Sequence, residues 1–109
     1  LGYAEHYADV VAAMVALEVE TAYREAADAQ SLLATFRRAE RAARSWLMAK
    51  ADLYDGGLAP MEDMTDALVA FYKRKLETLK GILDFNVAVA RLMRATGTDL
   101  LAASADAAP

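Results

Sequence analysis

The sequence predicts an all-α fold: a long antiparallel helical hairpin, coiled-coil-like in its spacing. Three observations carry this. About a quarter of the 109 residues are alanine, while aromatic residues make up 8%, which suits close-packed helices better than a sheet. Residues 3–53 contain neither glycine nor proline. A single cluster holding both residue types, Gly56-Gly57-Leu58-Ala59-Pro60, divides the chain into two helix-forming stretches.

The first helix is expected over about residues 3–54. Alanine, leucine, glutamate and arginine dominate it, all good helix formers. Leu32, Phe36, Ala39, Ala43, Trp46, Lys50 and Leu53 recur in alternating steps of four and three, the seam of a supercoiled helix. The tip turn is expected over residues 55–60. A glycine at 56 or 57 supplies the left-handed conformation that ends a helix, and Pro60 is tolerated in the first turn of the next.

The second helix is expected over about residues 61–96. Glu62, Asp63 and Asp66 sit near its positive N-terminal end. Leu68, Tyr72, Leu76, Leu79, Leu83, Val87 and Ala90 make its apolar face, and Gly97 reads as its stop. Residues 97–109 then form an irregular tail. Residues 1–109 therefore make one helical segment, with no internal repeat and no second domain. If the turn centres near Gly57, Trp46 falls beside Val69 and Ala70, and Leu32 beside Leu83. The second helix then runs out opposite about Val19. Tyr3, Tyr7, Val10, Val11, Met14 and Leu17 overhang it, and each would gain roughly 1.5–3 kcal/mol on burial. Another segment or another chain is expected to cover them.

Charge and composition narrow the function classes. Sixteen acidic against twelve basic residues give a formal charge of −4, the wrong sign for a general nucleic-acid binder. The absence of cysteine removes disulfides, thiolate metal sites and cysteine catalysis, and a single histidine removes any multi-histidine metal site. No cofactor or metal is expected. No apolar run approaches the ~20 residues of a membrane-spanning helix, and residues 1–109 contain no signal-peptide pattern; the chain opens with Leu1, so a fragment or processed product is expected. No nucleophile–base pair, phosphate loop or metal box is present, so the chain reads as a non-enzyme. Arg37, Arg38, Arg41 and Arg44 form a basic cluster, expected to be a solvated helix exterior with local acid partners such as Glu40. Trp46 and the phenylalanines read as packing residues, and His6 as an exposed helical histidine.

The stretch LYDGGLAPMEDMTDALVAFYKRKLETLKGILDFNVAVARLMRATG resembles the outer-membrane efflux protein (TolC) family. The residues that carry the likeness are Tyr54, Gly57, Asp66-Ala67, Tyr72, Asn86-Val87-Ala88, Leu92 and Ala95-Thr96-Gly97, in that order. The preceding helix matches more loosely. The resemblance implies the C-terminal helical hairpin of the second repeat, a fragment of a TolC-like α-helical barrel. It further implies a homotrimer in the full-length protein, located in the cell outer membrane and periplasm with this segment periplasmic. The trimer would work as a passive conduit with a periplasmic adaptor (membrane fusion) protein and an inner-membrane transporter.

The same resemblance assigns sites. Asp63 and Asp66, three apart on one helix face, match the acidic pair at the pore entrance, where three copies would make cation-attracting rings. Acids that complement the helix dipole are the plainer reading. Tyr54 matches a tip-closure tyrosine, against the plain role of covering a helix end. Gly56, Gly57, Leu58 and Ala59 match the adaptor-contact segment, against an ordinary turn. The family places an arginine of the closing lock where this chain has Ala59, so closure would need other residues. The alternative to the whole reading is a soluble coiled-coil interaction module with no channel role. A small helical enzyme or ligand-binding bundle is the third, and two helices form a poor pocket.

Overall fold

The computed structural model describes residues 2–107. It contains two helices, α1 (Gly2–Asp55) and α2 (Met61–Ala107), and no strand among the described residues. They divide into two compact units, Gln30–Asp84 around the turn, and Leu1–Ala29 with Phe85–Pro109.

In the unit Gln30–Asp84 the two helical segments run antiparallel. The side of α1 that turns away from solvent is Leu33, Phe36, Glu40, Ala43, Leu47 and Lys50. On α2, Met64, Ala67, Phe71, Thr78 and Gly81 turn inward. Both sets step alternately by three and four once Arg74, between Phe71 and Thr78, is counted, the spacing of a left-handed supercoil. Ala67 is completely buried, and a Cβ on Gly81 would lie 2.9 Å from Phe36 Cδ2 and 3.3 Å from Leu33 Cδ1. Small residues thus let the two backbones approach. Two polar positions of the seam on α2 are satisfied within their own helix. Thr78 is buried, and its hydroxyl donates to the Arg74 carbonyl at 3.1 Å. Arg74 turns its guanidinium outward to Glu77 at 3.0 Å.

The other unit repeats the pattern with smaller side chains. Val15, Val19, Ala22, Ala26 and Ala29 of α1 face inward, as do Phe85, Ala88, Leu92 and Ala95 of α2.

Several expectations are corrected. The 3.5-residue spacing on α1 is present, but the seam lies on a neighbouring face. Phe36, Ala39, Ala43 and Lys50 are half-buried as expected, whereas Leu32, Trp46 and Leu53 are exposed and Leu33, Glu40 and Leu47 take the inward positions. Trp46 is therefore not a packing residue of this chain. The expected apolar face of the second helix is its outside: Leu68, Tyr72, Leu76, Leu79, Leu83, Val87 and Ala90 are all exposed, Leu76 by 67% and Leu83 by 62%. The α2 side of the seam mixes large groups, Met64 and Phe71, with the small Ala67, Thr78 and Gly81, and Gly81 sits where the Phe36 ring leaves no room for a larger side chain.

Gly97 does not stop α2, and the tail is not irregular as far as Ala107. Glycine in a helix costs about 1 kcal/mol relative to alanine, and the alanine- and leucine-rich residues that follow outweigh one such cost. The Thr98 hydroxyl donates to the Arg94 carbonyl at 3.0 Å, so its polar group does not compete with the helix. Residues 108–109 of the expected tail lie outside the described residues. It follows that α2 does not run out opposite Val19. Leu17 and Thr98 line the same groove. The first-helix apolar residues are nonetheless exposed: Tyr3 is 92% accessible, and Tyr7, Val10, Val11, Met14 and Leu17 are also open.

Candidate functional site

The turn between the helices is the best-defined local structure. Gly57 has φ +75°, the left-handed region where a side chain is disfavoured. The Leu58 N–H donates to the Leu53 carbonyl at 2.8 Å, and the Gly57 N–H donates to the Tyr54 carbonyl at 3.0 Å. These are the two bonds of a Schellman cap, and they satisfy carbonyls that the end of α1 leaves open. Gly57, not Gly56, therefore carries the special conformation. Gly56 continues the helical bonding, its N–H donating to the Asp52 carbonyl at 3.1 Å. Pro60 stands just before α2, and its carbonyl accepts the Asp63 N–H at 3.1 Å.

The cap fixes where the candidate tip residues point. Leu58 is one of the most exposed large apolar residues, and Gly56 and Gly57 are also exposed, while Ala59 is half-buried. Tyr54 is partly exposed on the last turn of α1. Asp63 and Asp66 lie in the first two turns of α2, where negative charge is favoured by the dipole. They differ in surroundings. Asp63 is half-buried, and one of its carboxylate oxygens lies 3.8 Å from Lys50 Nζ across the helix pair. Asp66 is exposed. The Lys50–Asp63 pair was not anticipated from the residues. Its signal was available, because the turn position puts 50 and 63 opposite one another.

Acidic residues predominate near the turn, Asp52, Asp55, Glu62, Asp63 and Asp66 against Lys50, and basic residues predominate away from it, Arg37, Arg38, Arg41, Arg44, Lys73, Arg74, Lys75 and Lys80 against Glu40, Glu77 and Asp84. Glu40 does not pair with the arginines around it, as no ion pair within 4 Å joins them among the described residues. Arg44 instead stacks over the Phe71 ring at 5.6 Å, with Lys75 on the same ring at 5.9 Å. Arg38 donates to the Thr35 hydroxyl at 3.2 Å.

In the other unit, a shallow groove of about 370 Å³ is lined by Leu17, Glu18, Glu25, Arg91, Arg94 and Thr98, among others. Its carboxylates and guanidinium groups offset one another. His6 is exposed on α1. No group of three or more potential metal ligands is found among the described residues. No described helix is long and apolar enough to cross a membrane. No family model, no curated protein and no solved structure matches the chain.

Proposed function

We propose that this chain is a stretch of the periplasmic α-helical tunnel of a trimeric outer-membrane efflux or secretion channel of the TolC-like kind. The observation that carries the reading is that α2 is apolar on two opposed sides. One side is the seam against α1, Met64, Ala67, Phe71, Thr78 and Gly81. The other is the exposed row Leu68, Tyr72, Leu76, Leu79, Leu83 and Val87. A helix in a free-standing hairpin needs only one apolar stripe. A helix set in a curved wall has a neighbour on each side and needs two. The ordered residues from Tyr54 to Gly97 that resemble the family support the same reading.

In this reading conduction is passive, and partner pumps supply the energy. The channel would dock through its periplasmic adaptor onto an inner-membrane transporter, with Gly56, Gly57, Leu58 and Ala59 at the contact. Tyr54 would serve closure of the tip without the family arginine, because Ala59 cannot make a charged link. Asp63 and Asp66 would form the acidic entrance. Lys50 partly neutralises Asp63, so Asp66 would dominate cation preference.

The test is single-channel conductance of full-length trimers in planar bilayers. Asp66→Asn should remove more of the cation preference, and of the block by multivalent cations, than Asp63→Asn does. Unchanged selectivity in the double variant would reject the acidic entrance. The second reading, an autonomous coiled-coil interaction module, is favoured by the alternating three-and-four seam. It predicts a stable assembly of this chain alone, with the outer row of α2 buried in it.

A further inference from the structure

One stripe of α1 reads as two opposite charges separated by a methionine. Arg37, Arg41, Arg44, Met48, Asp52 and Asp55 follow one another at steps of four, three, four, four and three, so they share one helix face. All six are exposed and all lie in the unit Gln30–Asp84. The three cations occupy one half of the stripe and the two carboxylates the other. Met48, between them, is 62% accessible.

Neither half meets an opposite charge among the described residues, and Arg44 has only the Phe71 ring beneath it. No ion pair within 4 Å engages Arg37, Arg41, Arg44, Asp52 or Asp55 among the described residues. Asp52 and Asp55 also occupy the last turn of α1, where no basic residue is present. Negative charge there opposes the negative end of the helix dipole. These carboxylates therefore work against the helix that carries them, which a partner cation would offset.

We propose that this stripe is a self-complementary docking surface for a second copy of the chain, arranged antiparallel. With the two-fold axis between Arg44 and Met48, Arg37 of each copy meets Asp55 of the other, and Arg41 meets Asp52. Met48 of each then lies along the aliphatic stem of the opposing Arg44, whose head rests on Phe71. The arrangement is isologous, so it closes at two copies instead of growing into a filament. A parallel pair would set arginine against arginine and aspartate against aspartate, so the charges choose the orientation as well as the partner. The inference goes with the second reading, the autonomous module, because copies around a trimeric tunnel run parallel. It concerns the exposed face of α1, not the outer row of α2.

Exposed ion pairs are weak and screened by salt, so the association should be modest and salt-sensitive. Sedimentation of the chain at about 20 mM and about 500 mM sodium chloride reads it directly. The weight-average mass should rise roughly twofold over that of the monomer at low salt and return to the monomer value at high salt. Two charge-reversal variants test the pairing. Arg37→Glu with Arg41→Glu makes the stripe acidic except at Arg44. Asp52→Lys with Asp55→Lys makes its charges wholly basic and relieves the dipole conflict. Each variant alone should remain monomeric at low salt with unchanged helicity by circular dichroism. An equimolar mixture should recover the heterodimer, because each glutamate then faces a lysine while the remaining native pairs re-form. A monomeric wild type at low salt, association that survives in either variant or in high salt, or a mixture that stays monomeric would overturn the proposal.

Discussion

Replacing Gly81 with leucine will lower the unfolding free energy by about 2 kcal/mol, the usual scale of overpacking. The first added carbon would already lie 2.9 Å from Phe36 Cδ2 and 3.3 Å from Leu33 Cδ1. The ring atom cannot swing aside as the end of a flexible chain could. The extra methyl groups would then force the two helices apart over Ala67, Thr78 and Gly81. Gly97→Ala is the matched control, since nothing lies within 4 Å of a Cβ at that position. It should raise stability by roughly 0.5–1 kcal/mol through helix propensity alone. Urea denaturation followed by circular dichroism reads both. Equal effects at the two glycines would mean that the Gly81 contact is not part of the fold.

The second large effect concerns assembly instead of stability. Leu76→Lys with Leu83→Lys changes side chains that are mostly in water, so unfolding of the chain alone should shift by only about 0.5 kcal/mol per site. In the proposed trimer the same residues would lie between neighbouring helices. Burying two lysines there without partners costs several kcal/mol each. Full-length protein carrying the pair should therefore lose its trimer band on native gels while its monomer keeps its helical spectrum. A trimer of normal abundance would show that the outer row faces water in the assembly as well.

Much of the architecture is legible in the residues. The glycine-proline cluster marks the turn, and the glycine-free run before it marks α1. The turn position sets the approximate register but not the contacts: Trp46, Val69, Leu32 and Leu83, the pairs expected from it, are exposed, and the pairs that meet are Lys50 with Asp63, Arg44 with Phe71, and Gly81 with Leu33 and Phe36. Which face would be the seam was not legible from hydropathy. Leu32, Trp46, Leu76 and Leu83 outrank Ala67, Thr78 and Gly81 on any apolar scale. Yet a two-helix contact is governed by how closely the backbones approach, which favours the smaller group. Thr78 illustrates the point: its hydroxyl finds the Arg74 carbonyl one turn back, a local satisfaction that a polarity count does not register. The end of α2 differs for a related reason. Gly97 taken by itself reads as a stop, while the helix-forming strength of the residues after it carries α2 to Ala107.

At the tip, the identity of the left-handed residue was open between Gly56 and Gly57, and the bonds from Gly57 and Leu58 back into α1 decide it. The unequal surroundings of Asp63 and Asp66 were not visible in their spacing, because Lys50 is thirteen residues from Asp63 in sequence. The arginines around Glu40 were expected to be partnered locally. Their guanidinium groups instead reach Phe71 and Thr35 or stay in solvent.

Residues 1–109 contain no cysteine, so in this chain a single introduced thiol reports on the outer row of α2, and in the full-length protein the same reading is taken against a parent without the introduced cysteine. With cysteine introduced by Leu76→Cys or Leu83→Cys, maleimide labelling rates can be compared between the isolated chain and the full-length protein in native membranes. The account predicts rapid labelling of the isolated chain and at least roughly tenfold slower labelling in the membrane-assembled protein, where a neighbouring helix excludes water from the row. Equal, rapid labelling in both would contradict it, since α2 would then have one packed side and not two.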